Sequence, residues 1–538
     1  MKDKGNKNKQ KQKQPSEPPK AQQRRQFITN TGCERVGVLL FFILAWIWAS
    51  WWMGDVMRIA YERSFFAADA TLMHWLAQKS FGWLWIIGRA LLTSYYWPVV
   101  GGLLVAALLT LGSWLTGYCL RLPSKLCWLK YFPAAAWMLW TADVGLNLYY
   151  MREPGRILGA PFIVVVILGV WAILSKVLSR RHSLSAEREN KLSWISIAGQ
   201  VVIIPLCFAM PMLYLQRTHR YMRPLTHMQV QLLHNDYEGM SRTAHEHPDL
   251  CNRHVAGYYA IALARTGKLA EQLFDIRLEF DTIRAYGYDG LSNQCLKYHI
   301  VDCNYHAGLY RAARHYVMEA LTVDGPSLYA LKYLAKMALL DSDLVLARKY
   351  FGIIRKAPFE GEFIRKYEPM AAHPELVQAD PEFAAVLKAA PYRHSFEQFF
   401  LKPGFLGYYS SLKDFKTKEA LEWSTVACLY GKRMPDFLQR CSQFQDSALP
   451  KSIAEGLALQ AVKQPELFQI FPQLELVVNR LDFFLNDASP YTQDKERGAV
   501  ELFERYKGFY PYYYYFGNLN NTRKSYEEEL GHNNAGVN

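Results

Sequence analysis

The sequence contains no GxxxxGK[ST] loop, no GxGxxG turn, no HExxH pair, no CxxC pair and no GxSxG elbow. The short signatures of phosphate cradles, dinucleotide folds, zinc proteases and serine hydrolases are therefore missing. Charge is scarce at 20% of residues. Acids are scarcest in the first part: residues 1–216 hold 24 Lys/Arg and 10 Asp/Glu, whereas residues 217–538 hold 38 of each. The net charge of +14 thus belongs entirely to the apolar part, so it is no sign of a nucleic-acid partner. Nine cysteines form no disulfide framework spacing, and the count is odd. Strand-like alternation is also rare.

The chain has instead 51% hydrophobic and 14% aromatic residues, with 34 Tyr and 15 Trp. That excludes a disordered or fibrous protein. A length of 538 residues predicts two to four domains. The mean hydropathy of −0.10 averages a membrane half and a soluble half.

Residues 1–35 read as a disordered basic cytoplasmic tail, with ten Lys/Arg. Five apolar runs follow, at about 36–53, 96–119, 131–150, 157–178 and 193–215. Each approaches the roughly 20 residues needed to cross the hydrocarbon core. The first is too long and too aromatic for a cleaved signal and reads as a retained anchor. Trp51, Trp52, Tyr95, Tyr96, Trp97, Tyr149 and Tyr150 stand at run ends, where amphipathic rings settle at headgroup level. The loops after runs two and four are richer in Lys/Arg than those after runs one and three. The N-terminus is therefore expected in the cytoplasm, and five spans carry residues 217–538 outside. Residues 66–92 are apolar but interrupted, and fit a membrane-parallel or re-entrant segment.

Residues 217–538 read as helix after helix. Turns at Asn235, Gly267, Gly308 and Ser342 recur at intervals of 32, 41 and 34 residues. An aromatic or aliphatic residue follows two places later, and Ala313 and Ala347 stand five places after their turns. Small residues there let one helix approach another, and such pairs stack into a superhelix. GLYRAARHYVMEAL is the best example, and residues 220–357 resemble the tetratricopeptide family, whose repeat is 34 residues. The predicted architecture is all-α. A transmembrane bundle of about five spans (36–216) precedes tetratricopeptide-like repeats (217–357) and a second helical subdomain with loops (358–538).

Polar residues near the membrane are the functional candidates: Asp55, Glu62, Arg89 and Asp143. The plainer expectation pairs Asp143 with Arg89 to hold helices together. Cys295, His299, Cys303 and His306 lie along one helix, too collinear for a tetrahedral zinc site, and read as core. Tyr512 to Tyr515 read as packing or interface residues. No cofactor and no metal is predicted.

In layout, the aromatic-rich first loop and the Tyr-rich end, the chain resembles uncharacterised multi-pass inner-membrane proteins of Bacteroidetes-type bacteria that end in a tetratricopeptide-like region. That resemblance implies a bacterial inner-membrane setting and no particular activity. The expected function is a membrane-anchored scaffold. Its repeats would offer a concave surface to a protein or peptide partner outside the inner membrane. The alternative is a lipid-linked sugar transferase-like enzyme. Asp55, Glu62 and the 66–92 segment resemble that family's acidic, helix-bearing first outer loop, although five spans are fewer than its usual module. That resemblance implies Asp55 as base or metal ligand and Arg89 as a holder of lipid phosphate.

Overall fold

The computed structural model describes residues 30–146, 153–179, 194–218, 222–247, 253–278, 292–390, 415–444 and 448–517. Among them every regular element is helical and no strand occurs. The basic tail up to residue 29 lies outside the described residues; helix already begins at Asn30, inside the stretch 1–35 expected to be disordered.

Helix α1 (Asn30–Ile47) continues as a π-helical segment through Trp52. It is followed by α2 (Gly54–Glu62), α3 (Ala70–Ala77), α4 (Gly82–Leu92) and α5 (Pro98–Cys119). Helices α6 (Phe132–Leu146), α7 (Arg156–Ser179) and α8 (Trp194–Thr218) complete the first half. Among the described residues four helices are long and apolar enough to cross a membrane: Gly32–Trp52, Pro98–Cys119, Arg156–Val177 and Trp194–Arg217. Their outward residues, among them Val166, Ile167, Trp171 and Ile173 on α7, are large, apolar and exposed. Such a surface suits a solvent as apolar as itself and fits association with a membrane. The described part of α6 has 15 residues, fewer than a full crossing needs.

The segment expected to lie along the membrane forms the short helices α3 and α4, each too short to span. Helix α4 packs on the start of α7, where Gly88 permits the approach. A Cβ at Gly88 would stand 1.9 Å from the Gly155 carbonyl oxygen. Close crossing at small residues is a common way for membrane helices to associate.

The second half begins with four helix pairs. These are α9 (Met222–Leu233) with α10 (Tyr237–Glu246), and α11 (Arg253–Thr266) with the short α12 (Leu269–Gln272). Then come α13 (Ser292–His306) with α14 (Tyr310–Asp324), and α15 (Leu328–Leu340) with α16 (Leu344–Ile354). Each pair reverses at a residue in the left-handed region: Asn235 (φ 56°), Gly267 (φ 70°), Gly308 (φ 80°) and Ser342 (φ 59°). These are the four turn residues expected from the sequence. Glycine, and next asparagine, adopt that conformation most cheaply. The later pair α17 (Lys418–Tyr430) and α18 (Met434–Cys441) turns at Lys432 (φ 51°) in the same way.

Ala313 and Ala347 are fully buried between helices, as their spacing predicted. The Tyr-rich end forms α19 (Tyr510–Phe516), and it packs rather than projecting a platform. The Tyr513 ring stacks on Tyr430 at 6.1 Å, and its hydroxyl donates to the Tyr430 carbonyl at 2.7 Å. Residues 391–414, within the expected second helical subdomain, lie outside the described residues, and the stretch before them carries the short helices Gly361–Tyr367, Glu375–Ala379 and Pro381–Ala389.

Replacing Ala313 with Phe overpacks the contact between α13, α14 and α15 and should cost about 1–3 kcal/mol. Thermal unfolding of the full-length protein measures it. An unchanged midpoint would place Ala313 at an exposed position.

Candidate functional site

Helix α2 begins in the turn after the first apolar helix, with Asp55 in its first turn. Its amphipathic spacing puts Arg58, Tyr61 and Glu62 along one side, within reach of one another across a turn. This side is not in water. It faces the first helices of the helix pairs, and the space between them is a cavity of about 320 Å³.

Lys332, on α15, is the centre of the contact. Its ammonium group lies 2.8 Å from Glu62 Oε2 and 2.9 Å from Glu360 Oε2. Glu62 also takes the Arg58 guanidinium at 3.0 Å, and Tyr61 donates its hydroxyl to Glu360 at 2.7 Å. The two carboxylates are almost completely buried. Burial alone would push Glu62 up, but Lys332 and Arg58 outweigh it and hold it below the ordinary carboxylate value. Burial likewise works against the Lys332 charge, and the two glutamates overcome it and raise its pKa.

A second cluster lies one turn further along α15. Lys336 donates to Glu382 at 2.8 Å, and Tyr305 and Tyr367 donate to the same carboxylate at 2.8 and 2.7 Å. Burial would raise the Glu382 pKa, but Lys336 and these hydrogen bonds bring it down to about 2. Nearby His306 is driven neutral by burial and by the Arg265 charge. The third cluster centres on Asp302, which takes hydroxyl hydrogens from Tyr258 (2.5 Å), Tyr329 (2.6 Å) and Tyr333 (2.6 Å). Burial raises its pKa, while the three hydroxyls and Arg63 pull the other way.

Two further contacts join the segment after α2 to the later helices. Asp69 caps α3 by accepting from the Thr71 and Leu72 amides, and it also pairs with Lys356 at 2.6 Å. The Leu328 amide donates to the Ser64 carbonyl at 2.9 Å.

The sequence candidates are distributed among separate places. Glu62 belongs to the Lys332 cluster. Asp55 pairs with His227 Nδ1 at 2.7 Å in a different, open pocket beside Trp51, Trp52 and Arg223. The Asp55 hydrogen bond raises the His227 pKa, against the effect of burial. Arg89 is 1% exposed and makes a two-pronged pair with Glu153, at 2.6 and 2.9 Å. Glu153 sits just before α7, where α4 docks, so it meets Arg89 directly. The Asp143 side chain lies outside the described ones. His299, Cys303 and His306 are buried, with Gly257 leaving room for the His299 ring, while the Cys295 side chain lies outside the described ones.

Sequence reasoning passed over Tyr329, Lys332, Tyr333 and Lys336. Their signal was present: two tyrosines and two lysines, each pair four residues apart, place polar groups on one face of an otherwise apolar helix. Glu360 and Glu382 carried no comparable pattern, because their partners are distant in sequence.

The chain belongs to the DUF6057 family, a family of unknown function, which it matches over residues 145–517. No curated protein and no solved structure matches it.

Lys332→Met would leave Glu62 and Glu360 facing each other without their shared cation. Breaking a buried pair in this way should cost about 3–5 kcal/mol, read as a lower unfolding midpoint of the full-length protein. An unchanged midpoint would mean the carboxylates find water. Glu382 is held far below its ordinary value of 4.5. Its contribution to stability is therefore complete above that value and is lost as pH falls towards about 2. Glu382→Gln should flatten the acid side of the stability profile over that range, measured by thermal unfolding against pH.

Proposed function

We propose that the chain is a membrane-anchored scaffold whose tetratricopeptide-like repeats stand outside a bacterial inner membrane and bind a protein or peptide partner. The observation that carries this is the seat of α2 against α15 through Lys332, Glu62 and Glu360. The array already holds one helix, a helix of its own chain, by ion pairs and tyrosine hydroxyls. Helix recognition by complementary side chains is how helical-repeat surfaces engage peptides. The same seat fixes the array to the first loop, so a captured partner would be held close to the membrane.

Five spans with a cytoplasmic N-terminus are supported by which helix ends meet. The end of α1 and the start of α9, just after α8, share a neighbourhood, with Asp55 on His227 and Arg223 over the Trp52 ring. The start of α1, the 3-10 segment Ser124–Tyr131 and the start of α8 share another: Lys130 pairs with Glu34 at 3.0 Å, and Cys127 lies 3.0 Å from the Ser196 hydroxyl. The Arg89–Glu153 pair joins the first loop to the α6–α7 connection. Together with the Lys/Arg asymmetry, these contacts favour α6 as a fifth crossing.

One observation favours the enzymatic alternative, a lipid-linked sugar transferase-like protein. The Asp55–His227 pair is an acid–base couple in an open pocket of about 560 Å³ beside the tryptophans that end the first apolar helix. Glu62 and Arg89 take no part in it.

An alkaline phosphatase fused after Asn538 should be active in a bacterial host. A cysteine pair replacing Asp69 and Lys356 should be joined by a short bifunctional thiol reagent in intact cells, since the lysine side chain holds the two backbones further apart than a disulfide spans. Inactive phosphatase with a working cytoplasmic reporter at the same site reverses the topology, and no cross-link removes the seat. Asp55→Asn in cells that depend on the protein separates the two functions. Normal growth at normal protein level supports the scaffold; loss of growth at that level supports the enzyme.

A further inference from the structure

The open pocket beside Asp55 is built where two apolar helices end. Trp51 and Trp52 close the first of them, and Leu215 and Gln216 lie at the end of α8. The start of α9 and the end of α10 supply the other wall, through Arg223, His227 and Glu246. Trp51 is 60% exposed. Tryptophans at the ends of apolar helices settle at the headgroup level of a bilayer. A ligand in this pocket would therefore sit at the depth of the lipid phosphates.

The charges here do not all pair with one another. Asp55 is taken by His227 Nδ1 at 2.7 Å. Arg223 stands four residues before His227, on the same face of α9. Its guanidinium lies over the Trp52 ring, 5.0 Å from the centroid. Asp55 is near, but its bond goes to His227, and among the described residues no carboxylate lies within ion-pair distance of Arg223. Glu246 likewise has no cation within that distance among the described residues, although, after the Asp55 hydrogen bond, it helps to raise the His227 pKa. The indole covers the flat face of Arg223 and leaves its N–H edge for an anion. His227 Nε2, on the ring side away from Asp55, is a second donor when the ring is protonated. Free phosphate on these donors would meet Glu246 as a like charge with nothing between them. A metal ion would find one unclaimed carboxylate and a guanidinium beside it.

We propose that this pocket seats the headgroup of an ethanolamine phospholipid, with its phosphate on Arg223 and His227 and its ammonium on Glu246. The headgroup carries an anion and a cation close together, as the pocket requires. The lipid also lies at the right depth, because its acyl chains can run along exposed apolar residues of the two helices, such as Ile47 on α1 and Leu213 on α8. A lipid held there would tie the first helix pair to the bilayer at the point where α8 ends. This rests on the membrane setting of the apolar helices and goes beyond both the scaffold and the enzymatic alternative.

The test uses the purified, delipidated full-length protein in detergent. Native mass spectrometry measures binding of phosphatidylethanolamine and phosphatidylglycerol, and soluble phosphoethanolamine serves as the headgroup without its chains. Phosphatidylethanolamine should bind more tightly than phosphatidylglycerol, which brings the phosphate and no ammonium, and more tightly than the soluble headgroup. Arg223→Gln should weaken both lipids by about tenfold or more. Glu246→Gln should weaken phosphatidylethanolamine alone and erase its lead over phosphatidylglycerol. Both side chains are exposed, so both variants should fold. If Arg223→Gln does not, the Glu246→Gln comparison decides. The proposal is overturned if phosphatidylglycerol or the soluble headgroup binds as tightly as phosphatidylethanolamine, or if the folded variants keep wild-type affinities. None of these outcomes bears on the Asp69–Lys356 cross-link or the phosphatase fusion, so the lipid site and the scaffold fail separately.

Discussion

The arrangement of this molecule depends on one ammonium group taken out of water. Lys332 sits between Glu62, from the first loop, and Glu360, from beyond the fourth helix pair. Removing three charges from solvent is expensive, and their attraction repays it only when the geometry is good and the remaining polar atoms are satisfied. Here Arg58 and Tyr61 supply those remaining bonds. The consequence is positional. Glu62 meets Lys332 only when α2 lies against α15, so the later helices cannot leave α2 without breaking that buried pair.

Tyrosine is the other half of the arrangement. A carboxylate buried among helices needs donors that bring little charge and much apolar surface, and a phenol meets both needs. Asp302 is served by three of them and Glu382 by two. Because each of these tyrosine hydrogens is directed at an acid, each hydroxyl oxygen becomes an acceptor for its other neighbours. The proton pattern is thus passed outward from Asp302 to Tyr258 and then to the Gln229 amide. The cavity wall inherits its polarity from acids that do not themselves reach the far side.

The membrane-proximal candidates follow the same logic of pairing. Arg89, nearly without exposure, is matched by the two oxygens of Glu153, and Asp55 by His227. Each acid or base meets the partner that its own helix end brings close. This separates Asp55, Glu62 and Arg89 into three neighbourhoods, although they stand within one loop of the sequence. A charge in or beside an apolar bundle is retained where a partner neutralises it.

The sequence by itself determined the helical class, the long apolar helices and the register of the helix pairs. Those features are local. A long apolar run, a left-handed turn at Asn235 or Gly308, and a small residue at Ala313 or Ala347 each act through neighbours a few residues away. Tertiary structure alone decided who pairs with whom. Glu62 and Lys332 are 270 residues apart, and Tyr305 and Glu382 are 77 apart. No periodicity couples such positions, because ion pairs and hydrogen bonds are specified by distance in space. The tyrosines and lysines of α15 marked a polar face, but only the packing of α2 against it showed which acids that face would meet.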